Sequence, residues 1–146
     1  MLLNAEVTAQ LEEEFQKLKG PVRLVVFSQA LADPESEQVR RLVEEVVALD
    51  QRLSLESHNF VLDREPVEKL GIRRIPAIAI LGVGADGAAV DHGIRMYGLP
   101  SMYEFGTFIN AIRLVSGGES GLSAETKEAL KEIDRPLHIQ VFSTPT

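Results

Sequence analysis

Residues 21–49 read PVRLVVFSQALADPESEQVRRLVEEVVAL, and this stretch decides the fold. Val22–Ser28 reads as a strand with a continuous apolar stretch, Leu24–Phe27, the pattern of a strand covered on both faces. Asp33-Pro34 follows a short way on. An aspartate N-cap before a proline at the first helical position is a strong helix start. Val39, Leu42, Val43, Val46 and Leu49 then recur at spacings of three and four, which predicts a helix of about four turns. Arg52–His58 (RLSLESH) alternates weakly and reads as a second strand. Strand, helix and strand in that order predict two parallel strands joined by a right-handed crossover.

Upstream, Thr8 is expected to cap a helix that ends near Lys19, before Gly20-Pro21. Downstream, Pro66–Leu70 reads as a short helix closed by Gly71. Ala77–Leu81 is a third strand, Gly82–Gly87 a glycine-rich turn, and Ala88–Met96 a fourth strand antiparallel to the third. Ser101 opens a last helix, with Met102, Phe105, Phe108, Ile109, Ile112 and Val115 expected on its buried face. The order is a βαβ unit, a short helix, a ββ hairpin and a helix, preceded by one extra helix. That is α/β, in the topology of the thioredoxin/glutaredoxin-like fold (βαβ–ββα).

The beginning of this pattern comes round again. VTAQLEEEFQKLKGPVRLVVFS at residues 7–28 aligns with LSAETKEALKEIDRPLHIQVFS at residues 122–143. Thr8 matches Ser123, Phe15 matches Leu130, and Pro21 matches Pro136. A repeat of this kind is a sign of tandem architecture. It predicts one complete unit over 1–115, a flexible Ser-Gly linker over 116–121, and the first helix and strand of a second, truncated unit over 122–146.

Composition narrows the function classes. Of 146 residues, 45% are hydrophobic and 25% charged, a globular balance that excludes a disordered chain. A net charge of −7 argues against nucleic acid or an anionic membrane as partner. Apolar runs reach about five residues, where a membrane span needs about 18. No basic, apolar leader precedes Glu12-Glu13-Glu14, so no signal peptide is visible and the cytoplasm is the expected compartment. The chain has no cysteine, which removes disulfides, thiolate ligands and cysteine catalysis from it.

Several motifs have plain structural readings. Gly82-Val83-Gly84-Ala85-Asp86-Gly87 matches G-x-G-x-x-G, but a dinucleotide site needs a helix next and a strand is expected instead. His58, His92 and His138 lack partners at ligand spacing, so no metal and no other cofactor is expected. Glu12-Glu13-Glu14 and Glu44-Glu45 read as solvent faces of helices. Arg73-Arg74 reads as a solvated loop pair, with an anionic ligand near Pro76 as the alternative.

Asp33–Ser36, Arg74-Ile75-Pro76 and Tyr97–Phe105 (YGLPSMYEF) resemble the tandem glutaredoxin-like protein disulfide oxidoreductases of thermophilic prokaryotes. The N-terminal module of the alkyl hydroperoxide reductase flavoprotein is similar too. The resemblance spans about residues 5–146. It implies a cis Ile75–Pro76 bond facing the start of the Asp33 helix, with Ile75, Pro76 and Arg74 as candidates for docking an extended substrate. It also implies that Asp33, Pro34, Glu35 and Ser36 stand in the slots of a Cys-x-x-Cys motif, here degenerate. A thiolate at such a helix start is stabilised by free N–H groups and the helix dipole. Asp33 supplies a fixed carboxylate to the same donors.

The expected function is therefore a redox-inert half of a thiol–disulfide oxidoreductase. Protein disulfide exchange would be carried by a second thioredoxin-like unit of the same polypeptide, with protein disulfides as its substrates. The alternatives are a stand-alone binding or adaptor module and the electron-relay arm of a peroxide-reducing flavoenzyme. Leu137, Ile139, Val141 and Phe142 belong to a strand without a sheet of its own. Residues 122–146 are thus expected either to add to the first unit or to mediate a homodimer.

Overall fold

The computed structural model describes residues 2–29 and 33–142. Nine elements follow one another: α1 (Ala5–Phe15), β1 (Val22–Ser28), α2 (Pro34–Val47), β2 (Leu53–Asn59), α3 (Arg64–Lys69), β3 (Ala77–Val83), β4 (Ala89–Tyr97), α4 (Tyr103–Gly117) and α5 (Ala124–Lys131). The four strands form one sheet in the order β2-β1-β3-β4. β1 runs parallel to β2 and antiparallel to β3, and β3 is antiparallel to β4. This is a thioredoxin-like fold.

The apolar run at Val22–Ser28 is explained by its place. β1 is a central strand; Val22, Leu24, Val26 and Phe27 are fully buried. Leu24 and Val26 point to the larger core, shared with Phe15 of α1, Val39 and Val43 of α2, and Phe108 and Ile112 of α4. Val25 and Phe27 point the other way, to a smaller core with Ile72, Ala77 and Ala79. The alternation is the ordinary pleat of a strand. Burying one such side chain is worth about 1.5–3 kcal/mol, so this strand is a principal source of stability.

The G-x-G-x-x-G stretch is the β3–β4 hairpin. Gly84 N–H donates to the Ala88 carbonyl at 2.8 Å, and Gly87 takes φ +78°, open to glycine at low cost. Strand follows it, not helix, as expected. Farther along β4 a bulge shifts the register between Ala79 and Leu81, where Gly93 has φ +79°.

Three local expectations are corrected. Thr8 does not cap α1: Asn4 does, its Oδ1 accepting from Val7 N–H at 2.9 Å, and Thr8 lies inside the helix. The helix also ends earlier, at Phe15, and Arg52, just before β2, bonds carbonyls at and beyond its end. Its Nη2 donates to the Phe15 carbonyl at 2.6 Å and its Nη1 to the Leu18 carbonyl. Met102 is not on the buried face of α4. It stands before the helix with φ +49° and is 86% exposed.

α4 extends two residues into the expected linker. Ser116 is buried, and its Oγ accepts from Lys19 N–H and Gly20 N–H, both at 2.9 Å, while donating to the Gly20 carbonyl at 2.7 Å. Beyond Gly118, which closes α4 with φ +65°, every described residue is exposed. α5 forms as expected, capped by Ser123 through Thr126 N–H at 3.1 Å. The expected strand after it does not form between Leu137 and Phe142, and Ile139, Val141 and Phe142 are more than 80% exposed. Ser143 to Thr146 lie outside the described residues.

Candidate functional site

Strand register gathers the three singled-out motifs at one end of the sheet. Phe27 pairs with Ala77, and Ala77 with Tyr97, while Ser28 pairs with Asn59. The chain therefore leaves β1 toward α2, enters β3 from Pro76 and leaves β4 into Gly98, all at the same edge. The Ile75–Pro76 bond is cis. Pro76 is buried, and its carbonyl accepts from Gly98 N–H at 2.9 Å. Gly98 has φ +84°. That positive φ calls for glycine, and a Cβ there would stand 3.3 Å from Glu35 Oε1, the movable end of its side chain.

Asp33 caps α2. Its carboxylate accepts from Ser36 N–H at 3.3 Å and from the Ser36 hydroxyl in a short hydrogen bond. Ser36 is buried, so its hydroxyl depends on this partner. The Ser36 hydroxyl, then the Ser36 amide, hold the Asp33 carboxyl below its ordinary pKa. Glu35 reaches across to the YGLPSMYEF stretch, its Oε1 accepting from Leu99 N–H at 3.3 Å. Pro34 is the first residue of α2, and with Ser28 and Arg40 it lines a cleft of about 480 Å³ along the helix start.

Ile75 is half-buried against the smaller core together with Tyr97, and the Arg74 guanidinium lies 4.8 Å from the Tyr97 ring centroid. Thus Asp33 and Ser36 form one hydrogen-bonded unit, Glu35 joins it to Leu99, and Pro76 and Arg74 each meet the end of β4. Spacing along the chain left His58 without a partner and so missed its contacts. It stacks on Phe27 with ring centroids 5.5 Å apart, its Nε2 2.7 Å from Glu56 and its Nδ1 3.6 Å from Asp63. The stack follows from β1–β2 register, which pairs Phe27 with His58. No cluster that could hold a metal occurs among the described residues, and none of their helices is long and apolar enough to cross a membrane.

The arrangement can present a fixed anion and an ordered backbone edge. It offers no thiol for disulfide exchange.

Fold and site together define a thioredoxin-like module. No protein-family model matches the chain. It is similar to an NADH dehydrogenase of Bacillus subtilis (25% identical over the whole chain, 25% of the relative's length). It is also similar to an alkyl hydroperoxide reductase of Staphylococcus aureus (23% identical over 99% of the chain, 25% of the relative's length). The chain thus spans about a quarter of these curated relatives. Among solved structures it resembles the NTD_N/C domain of the alkyl hydroperoxide reductase of Enterococcus faecalis. The TM-score is 0.75 at 26% identity, covering 86% of this chain and 58% of that one. A protein disulfide oxidoreductase from Aeropyrum pernix shares the fold, with TM-score 0.75 at 24% identity over 90% of this chain and 56% of that one.

Proposed function

We propose that this chain is the redox-inert thioredoxin-like half of a thiol–disulfide oxidoreductase acting in the cytoplasm. Exchange chemistry belongs, in this reading, to a second unit of the same polypeptide that begins within 122–146. The observation that carries the proposal is the Asp33–Ser36 pair at the start of α2. A carboxylate and a hydroxyl stand where exchange would need two thiols, and they hydrogen-bond to each other there. Ile75 and Arg74, beside Pro76, are then the docking edge for an extended disulfide substrate handed to the second unit.

Similarity to the alkyl hydroperoxide reductases supports a second reading, in which the parent is a peroxide-reducing flavoenzyme and this chain belongs to its electron-relay arm. Both readings assign the same inert role to residues 1–115. Insulin reduction by dithiothreitol tests that role: the purified chain is expected to match the protein-free rate, and clear turnover would overturn it. The coding sequence past Thr146 separates the parents. Cys-x-x-Cys with no flavin domain supports the oxidoreductase, a following flavin domain supports the relay arm, and an immediate stop codon leaves only a stand-alone binding module.

A further inference from the structure

The two faces of the sheet are covered unequally. α1, α2 and α4 pack on the larger core, whereas the smaller core is covered by α3, six residues long, and the loop that follows it. Charge is also distributed unevenly there. Every arginine of residues 1–115 outside the segment 64–74 is paired with a carboxylate: Arg23, Arg40, Arg41, Arg52, Arg95 and Arg113. Within that segment Arg64, Lys69, Arg73 and Arg74 are all exposed, and none is among the ion pairs of the described residues. Over Phe60–Arg74 these four cations stand with three carboxylates, Asp63, Glu65 and Glu68, a net positive corner in a chain of net charge −7.

An apolar groove adjoins this group. Phe60, Val61 and Val67 line it together with Arg64 and Glu68, and its volume is about 310 Å³. Val61 is 54% and its neighbour Leu62 78% exposed. One fold element ties groove and cations together: Ile72 N–H donates to the Val67 carbonyl at 2.9 Å, which turns the Arg73-Arg74 loop back onto α3. Arg74 itself lies over the Tyr97 ring, and no ion pair among the described residues includes it.

Unpaired cations around an apolar slot complement a segment that is acidic with an apolar anchor. We propose that the α3 corner, Phe60–Arg74, is a docking surface for an acidic protein segment carrying an aromatic or aliphatic side chain. The anchor fills the slot between Phe60, Val61 and Val67, and flanking carboxylates meet Arg64, Arg73 and Arg74. Arginine suits this use because its planar fork binds a carboxylate bidentately. A nucleic acid would supply anions too, but it offers no aliphatic anchor for the slot and must overcome the acidic remainder of the surface.

The test titrates the intact chain into a fluorescein-labelled peptide, Asp-Glu-Asp-Phe-Asp-Glu-Leu-Asp, and reads fluorescence anisotropy. The peptide is expected to bind, and to bind less as salt rises from about 20 mM to about 150 mM. The triple variant Arg64→Glu, Arg73→Glu, Arg74→Glu should weaken binding by about tenfold or more, and Val61→Ser should weaken it as well. Lys19→Glu, at another unpaired cation outside the corner, should not. Circular dichroism and urea unfolding check that each variant folds; if the triple reversal does not, Arg73→Gln with Arg74→Gln takes its place. The proposal is overturned by absence of binding, by equal binding of a peptide with lysine at every acidic position, or by equal loss in Lys19→Glu. It is overturned also if a single-stranded oligonucleotide of the same charge binds as tightly, or if the triple reversal instead dissolves a dimer of the chain.

Discussion

Ser116→Ala should be among the most damaging single-atom deletions in this chain. The Ser116 hydroxyl joins the end of α4 to the turn before β1, accepting from Lys19 and Gly20 N–H and donating to the Gly20 carbonyl. Ser116 is buried and the Gly20 backbone is close against it; a Cβ on Gly20 would stand 3.3 Å from the Ser116 carbonyl. An orphaned buried polar group costs about 1–3 kcal/mol. Three such groups, part of them within reach of water after a small opening, give an expected loss of about 2–4 kcal/mol. That is a large share of a total stability of about 5–15 kcal/mol. With a urea slope of about 2 kcal/mol per molar, the unfolding midpoint should fall by about 1–2 M at unchanged slope. Ser123→Ala is the control, since every residue of α5 is exposed and its cap should leave the midpoint where it was. A Ser116→Ala shift no larger than that of Ser123→Ala would refute the reasoning.

Three further outcomes are expected. Asp33→Cys with Ser36→Cys should give the cysteine-free chain measurable insulin-reducing activity, because the α2 N-terminus stabilises a thiolate; a double variant that folds but stays at the protein-free rate would count against the site's assignment. Hydrogen bonds from Arg52 and from Arg95 hold the carboxyls of Asp50 and Asp91 below their ordinary pKa values. Their contribution is therefore complete above the unfolded value of about 3.9 and fades as pH drops through the depressed folded values, so the urea midpoint should decline between about pH 5 and pH 2. Asp50→Asn with Asp91→Asn should lower the midpoint at neutral pH and flatten that decline, and an unflattened curve would exclude these two carboxylates as its source. Light scattering should find the intact chain associated and a chain ending at Gly121 monomeric, through the exposed apolar residues Ile139, Val141 and Phe142; two monomers, with the tail exchanging its amides as fast as unfolded peptide, would refute it.

Much of the fold was legible because its signals are local. The buried run of β1, the Asp33-Pro34 start and the periodicity of α2 each specify one element without help from the rest. What escaped reading depends on contacts between distant residues. Asn4 and Thr8 are both competent caps; Asn4 takes the role where Leu3 packs onto the core and the Leu2 and Leu3 N–H groups meet Glu45, contacts that spacing does not reveal. Ser116 looks like the first residue of a Ser-Gly linker until Lys19 and Gly20 are brought to it. Met102 fits the apolar period of α4, but the turn after Pro100 sets it outside the helix. In the site, the helix cap was readable from spacing, whereas the Glu35–Leu99 bond, made across 64 positions of sequence, was not.

The Asp33–Ser36 pair has a consequence for how this module meets its surroundings. A dithiol at a helix start exists in two covalent states, and each oxidant or reductant in the cell can move it from one to the other. A carboxylate hydrogen-bonded to a hydroxyl has no second covalent state. The start of α2, and the Leu99 loop tied to it through Glu35, therefore keep one shape whatever the redox poise. Any partner that contacts this edge meets it in a single covalent form, because neither side chain can be oxidised or reduced by thiol–disulfide exchange.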